Sequence, residues 1–232
     1  MANISDNHTA ILLFARSAKE EAQHKKLSPD DSDNLFLLDS LKQHAYSVAD
    51  QASLPLFHFS ETKQIGSGFG ERLTNSLANV FGRGYENVIV IGADCPDISV
   101  SDIHSAEKAL ACGQMVLGPD MRGGTFLLGL TAEMFERKQL ASVSWQTSEL
   151  LESLRKYADC FQFEITYLAQ KFDLNVASDV IEYGEQSAFL SILLRSLHLS
   201  IDFQLIVCLY HTYLTFLQVL SRRGPPLMGT AY

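Results

Sequence analysis

Cysteine is scarce and scattered. The four residues, Cys95, Cys112, Cys160 and Cys208, include no Cys-x-x-Cys pair, which argues against a disulfide framework or a zinc site and fits free thiols in a reducing cytosol. Positive charge is in deficit, with 18 Lys and Arg against 27 Asp and Glu and a net charge of -9. Such a surface repels phosphate backbones, so no nucleic-acid partner is expected. A basic-flanked apolar leader is missing as well: Met1 to Thr9 is polar and the run Ala10 to Ala15 is short. The expectation is a cytoplasmic protein. Internal repeats, low-complexity linkers, a clustered set of histidines and a Gly-x-Ser-x-Gly elbow are all absent. The last absence speaks against an α/β-hydrolase.

What is present is 232 residues, 47% of them hydrophobic, enough for one domain with a sizeable core. The continuous apolar run Ala10–Ala15 predicts a strand buried on both faces. Strands are also expected at Leu54–Phe59, Asn87–Gly92, Gln114–Gly118, Thr125–Leu130 and Cys160–Thr166. Helical spacing predicts helices through Leu35–Val48, over Gly70–Phe81, after a cap at Ser99 or Ser101, and over Gln146–Tyr157. Strands alternating with helices imply a mostly parallel sheet covered on both faces. Ligands of such sheets bind beyond the carboxyl ends of the strands.

Phe189 to Leu220 is strongly apolar, and Phe203 to Leu220 holds no Asp, Glu, Lys or Arg. Gln204, His211, Thr212, Thr215 and Gln218 disfavour a membrane span. The expectation is a helical extension over 185–232, packed on a domain spanning 1–184 or forming a homodimer.

The strongest local signal is Ile91-Gly92-Ala93-Asp94-Cys95-Pro96-Asp97. A carboxylate at the end of a buried strand needs donors, water or a cation. Two readings fit. Asp94 and Asp97 can hold Mg²⁺ or Mn²⁺ through hard oxygen ligands, or Asp97 caps the next helix while Asp94 bonds turn amides.

The order of motifs resembles the bacterial branch of the GT-A-like nucleotide-diphospho-sugar transferases that includes arsenosugar-biosynthesis-type glycosyltransferases. It runs through Leu13-Phe14-Ala15-Arg16, Gly66-Ser67-Gly68-Phe69-Gly70-Glu71-Arg72-Leu73, the Asp94 segment, Leu117-Gly118-Pro119, Gly123 to Leu130, Ser144-Trp145-Gln146-Thr147, and Asp173 to Asp179. The resemblance implies a three-layer α/β/α Rossmann-like fold, a nucleotide-diphospho-sugar donor with an unidentified acceptor, and a divalent cation, Mg²⁺ or Mn²⁺. Asp94 would be the metal-binding acid, with Asp97 beside it as the second catalytic candidate. Asn175 would be a further ligand where relatives carry an acid, with Asp173 and Asp179 flanking it. Arg16, Lys25 and Lys26 would neutralise phosphate, and Gly123 and Gly124 would let the sugar approach the backbone. Asp120 and Asp179 are candidate bases.

The chain departs from that pattern in three places. The loop after the first strand lacks the family's proline and glycine and carries Glu20 and Glu21. Arg122 replaces an acid, where its planar fork suits a phosphate or carboxylate, and Asn175 carries no charge. Two alternatives therefore stand beside glycosyl transfer. One is nucleotidyl transfer on the same fold; the other is a catalytically weakened binding or scaffold protein.

Overall fold

The computed structural model describes residues 8–197. Its centre is a six-stranded sheet in the order β2-β1-β3-β5-β4-β6, comprising β1 (Thr9–Phe14), β2 (Leu56–Phe59), β3 (Asn87–Ile91), β4 (Met115–Pro119), β5 (Thr125–Thr131) and β6 (Ile165–Tyr167). β1 pairs in parallel with β2 and β3, and β4 with β6; β5 runs antiparallel between β3 and β4. The expected mostly parallel, three-layer α/β/α sheet is present. The helices are α1 (Ala18–Glu21), α2 (Asp31–Gln51), α3 (Phe69–Phe81), α4 (Val100–Ala111), α5 (Arg137–Ala141), α6 (Leu150–Phe161), α7 (Ala177–Tyr183) and α8 (Ala188–Ser196).

The unbroken apolar runs reflect burial on both sheet faces. In β1, Ile11 and Leu13 join a core with α2 and α4, while Ala10 and Leu12 face the opposite layer with Leu73 and Leu77 of α3 and Leu154 of α6. All four β1 side chains are 0% exposed. Each fully buried Leu or Ile there contributes about 1.5–3 kcal/mol, so a polar residue in either register would cost one layer its floor. Ser99 caps α4, its hydroxyl receiving the Asp102 N–H while the Asp102 carboxylate accepts from the Ser99 N–H.

Two expected boundaries shift. The helix expected over 146–157 begins at Leu150 instead, because Gln146 adopts a left-handed φ of 60°. The strand expected from Cys160 begins at Ile165; Cys160 and Phe161 finish α6, and Gln162 ends it in the left-handed conformation. Stacking of Phe161 on Phe163, with Tyr157 beside both, holds this turn. Pro55 immediately precedes β2, where its carbonyl accepts from the Ile11 N–H.

The expected boundary at 184/185 falls between α7 and α8. Leu190 and Leu193 of α8 are buried with Leu37, Leu38 and Leu41 of α2. Among the described residues no helix is long and apolar enough to cross a membrane. The apolar run Phe203–Leu220 and the expected dimer surface lie outside the described residues.

Candidate functional site

The carboxyl ends of β1 and β3 open into a cavity of about 570 Å³, within the usual range of about 300–1,000 Å³ for small-molecule sites. Because β5 is antiparallel, its first residues lie at the same edge: Leu127 pairs with Ile91, and Thr125 with Pro119. The topology thus brings Arg16, Asp94, and the Asp120–Gly124 turn to one rim. Below them the cavity is walled by Phe14, Phe69 and Trp145, whose rings meet at centroid distances of 5.4 and 5.5 Å.

Asp94 lies three residues beyond the end of β3, after Gly92 and Ala93. Its backbone carbonyl accepts from the Leu174 N–H at 2.9 Å, which docks the segment Asp173-Leu174-Asn175 against the strand end. Leu174 is fully buried, and its neighbours Asp173 and Asn175 both line the cavity. Lys25 closes the arrangement. Its Nζ donates to Asp94 Oδ1 at 2.6 Å and to the Leu174 carbonyl at 3.0 Å, with Glu21 Oε1 at 3.7 Å. Burial alone would lower the Lys25 pKa, but the charge and hydrogen bond of Asp94, with Glu21 and Asp173 nearby, leave it raised. The ammonium is charged at neutral pH.

Asp173 is unsatisfied. Its Oδ1 is buried and has no hydrogen-bond partner. Burial, then the charges of Asp94 and Asp120, push its pKa up to about 8, against the opposing pull of Lys25 and Arg122. An orphaned carboxylate oxygen beside two more acids is a demand for a cation or a proton. Asp94, Asp173 and the amide oxygen of Asn175 are hard donors that fit Mg²⁺ or Mn²⁺. Among the described residues no three acid, histidine or cysteine side chains already converge on one point, so such an ion would draw further ligands from water or a diphosphate.

Arg122 lines the same cavity but is anchored differently. Its guanidinium makes a two-pronged contact with Asp179, Nη1 donating at 2.9 Å and Nη2 making the second bond. Asp179 is fully buried and also accepts from the N–H groups of Asn175 and Val176. These donors outweigh burial and hold its carboxyl below the ordinary range.

The sequence-predicted residues therefore divide. Arg16, Asp94, Arg122, Gly124 and Asn175 line the cavity, and Lys25 reaches it through Asp94. Arg16 is paired with Glu21 at 3.2 Å. Asp97 does not line the cavity; its Oδ1 accepts from the Ser187 hydroxyl at 2.6 Å. Lys26 is exposed and pairs with Asp31. Gly123 has a φ of 85° and a side chain on it would strike the Ser148 carbonyl; one on Gly124 would strike Asp120. The two glycines fold the turn around Asp120, whose Oδ1 accepts from the Arg122 and Gly124 N–H groups at 2.7 Å each. Sequence reasoning gave Asp173 only a flanking role and missed Phe14 and Phe69. The alternation Asp173-Leu174-Asn175, polar residues around one apolar, was the available signal.

Comparison with known proteins follows the same lines. The family described as "Uncharacterized protein conserved in bacteria (DUF2064)" matches residues 31–147. No protein of curated function matches the chain. Among solved structures, a "putative nucleotide-diphospho-sugar transferase" from Desulfovibrio desulfuricans G20 superimposes with a TM-score of 0.72 at 18% identity, covering 82% of this chain and 95% of that one. At that identity the likeness establishes the fold, which is GT-A-like as the motif order implied. Rv0371c from Mycobacterium tuberculosis H37Rv gives a TM-score of 0.49 at 13% identity, covering 78% of this chain and 100% of its own. The 4-diphosphocytidyl-2C-methyl-D-erythritol synthase from Anaerococcus prevotii DSM 20548 gives 0.46 at 9%, covering 81% and 96%. Scores that low carry no argument.

Proposed function

We propose that this chain, a member of the bacterial DUF2064 family, binds a nucleotide-diphospho-sugar with Mg²⁺ or Mn²⁺ and transfers the sugar to an acceptor. One observation carries the reading: Asp94, Asp173 and Asn175 meet Arg16 and Arg122 in a single cavity at the carboxyl edge of the sheet. A bound cation would offset charge on the diphosphate and on the departing nucleotide. The chain's own residues do the rest. Asp94 and Asp173 offer carboxylate oxygens, and Asn175 an amide oxygen. The Arg122 fork, set in place by Asp179, presents donors to phosphate. Phe14, Phe69 and Trp145 supply an apolar wall that shields part of the ligand from water. The name of the Desulfovibrio protein that shares the fold supports the assignment.

A thermal-shift screen of nucleoside diphosphates and nucleotide sugars, with and without Mn²⁺, tests it. A ligand at one hundred times its dissociation constant adds about 2.7 kcal/mol to stability. Stabilisation that requires Mn²⁺ and disappears in Asp94→Ala is the expected result; a flat response across the panel contradicts the reading. Product analysis then separates glycosyl transfer, which frees a nucleoside diphosphate, from nucleotidyl transfer, which frees pyrophosphate.

A binding protein without turnover is the second reading. It is favoured by the pairing of cavity cations with acids: Arg16 with Glu21, Lys25 with Asp94, Arg122 with Asp179. Metal-dependent ligand stabilisation with no product from any nucleotide sugar would select it.

A further inference from the structure

We propose that Lys25 is an internal competitor of the divalent cation: its tethered ammonium holds the Asp94 oxygen that the metal needs, so a cation binds the ligand-free protein only by displacing it. The inference rests on the reading that Asp94 is a cation ligand.

The geometry supplies the argument. The Lys25 side chain is 9% exposed, although lysine is almost never buried without a partner. Its Nζ meets Asp94 at 2.6 Å and the Leu174 carbonyl at 3.0 Å. Leu174 lies between Asp173, whose Oδ1 has no partner, and Asn175. The ammonium therefore occupies one oxygen, Asp94 Oδ1, of the side chains that a hard cation would use. Two cations cannot share one carboxylate oxygen at contact distance without strong repulsion. Lysine, a compact point charge on a flexible stem, can leave that position where an arginine fork could not readily do so. The resulting site is selective for a cation delivered with an anion. A diphosphate offers the displaced ammonium a new partner, whereas the free metal ion takes its nearest counter-charge and leaves only Glu21, 3.7 Å away.

The test uses nucleotide-free full-length protein. Free Mn²⁺ is counted by electron paramagnetic resonance during titration of wild type, Lys25→Met and Lys25→Arg. Lys25→Met should bind Mn²⁺ at least about tenfold tighter than wild type. Lys25→Arg, which keeps the charge, should bind no tighter. Adding Asp94→Asn to Lys25→Met should abolish the gain. Equal or weaker Mn²⁺ binding by a cooperatively melting Lys25→Met overturns the inference.

Should Lys25→Met fail to fold, wild type alone decides. Saturating Mn²⁺ should raise the acetylation rate of Lys25 by acetic anhydride, read by peptide mass spectrometry, and an unchanged rate overturns the proposal. No nucleotide sugar enters these measurements. Failure to bind a donor would sink the transferase reading and leave this result standing. Equal Mn²⁺ affinities would do the reverse.

Discussion

Two acid–base pairs flank the same cavity and differ in completeness. Asp179 is fully buried and accepts two bonds from Arg122 and one each from the Asn175 and Val176 N–H groups. Asp94 is 41% exposed, bonded by the single ammonium of Lys25, and adjacent to the orphaned Asp173 Oδ1. A satisfied buried carboxylate is a structural joint. An undersatisfied one next to open volume is a place for a ligand. The Asp179 side fixes the shape of the cavity, and in the proposed function the Asp94 side would receive the ligand.

Breaking the satisfied side should cost the most. Asp179→Ala leaves Arg122 without its partner and two backbone donors without an acceptor. It should lose about 3–5 kcal/mol in chemical denaturation, with ligand binding falling in step. A loss under about 1 kcal/mol would erase the distinction drawn here.

Asp173 should behave in the opposite way. Its folded pKa is raised to about 8 from an ordinary value of 3.8. Between those values the folded chain holds a proton that the unfolded chain has released, so stability is greatest at the acid end and declines as pH rises through the window. Asp173→Asn removes this slope. At pH 8, without metal, it should be more stable than wild type, because the amide has no charge to bury beside Asp94 and Asp120. Parallel pH profiles for the two proteins would place Asp173 among satisfied residues.

Asp94→Asn keeps an acceptor for Lys25 and removes only charge. Because Asp94 is partly exposed, the expected loss of stability is about 1 kcal/mol or less, while Mn²⁺-dependent stabilisation by a nucleotide sugar disappears. Retention of that stabilisation would move the cation elsewhere.

The smallest effect concerns Cys95, one residue beyond Asp94. Burial, reinforced by the nearby acids, pushes its thiol far above the ordinary range. Iodoacetamide at pH 8 should label the exposed Cys112 and Cys160 and leave Cys95 unmodified. Rapid labelling of Cys95 would mean that the cavity floor opens.

Much of this was legible in the sequence where the determinants are local. β1 and β3 announced themselves as continuous apolar runs because both sheet faces are covered. Asp94 stood out because it follows such a run at the ligand-binding edge. The elements that slipped depend on distant partners. The Gln146–Ser148 stretch reads as helix, yet Trp145 just before it packs where Gly70 has no side chain, and Ser148 lies against Gly123. Asp97 shares a motif with Asp94, but Ser187, ninety positions away, claims its carboxylate. The alternation around Leu174 hints at Asp173, but its importance appears only once Leu174 docks on the Asp94 carbonyl, a contact that the alternation does not encode. Lys25 was placed near phosphate by motif position alone; its burial against Asp94 comes from the fold.

The most direct measurement is an anomalous difference map from crystals soaked with Mn²⁺ and a nucleoside diphosphate. The account predicts a manganese peak within coordination distance of Asp94 and Asp173, with the diphosphate against it. A bound diphosphate with no peak there, or a peak remote from both carboxylates, would contradict it.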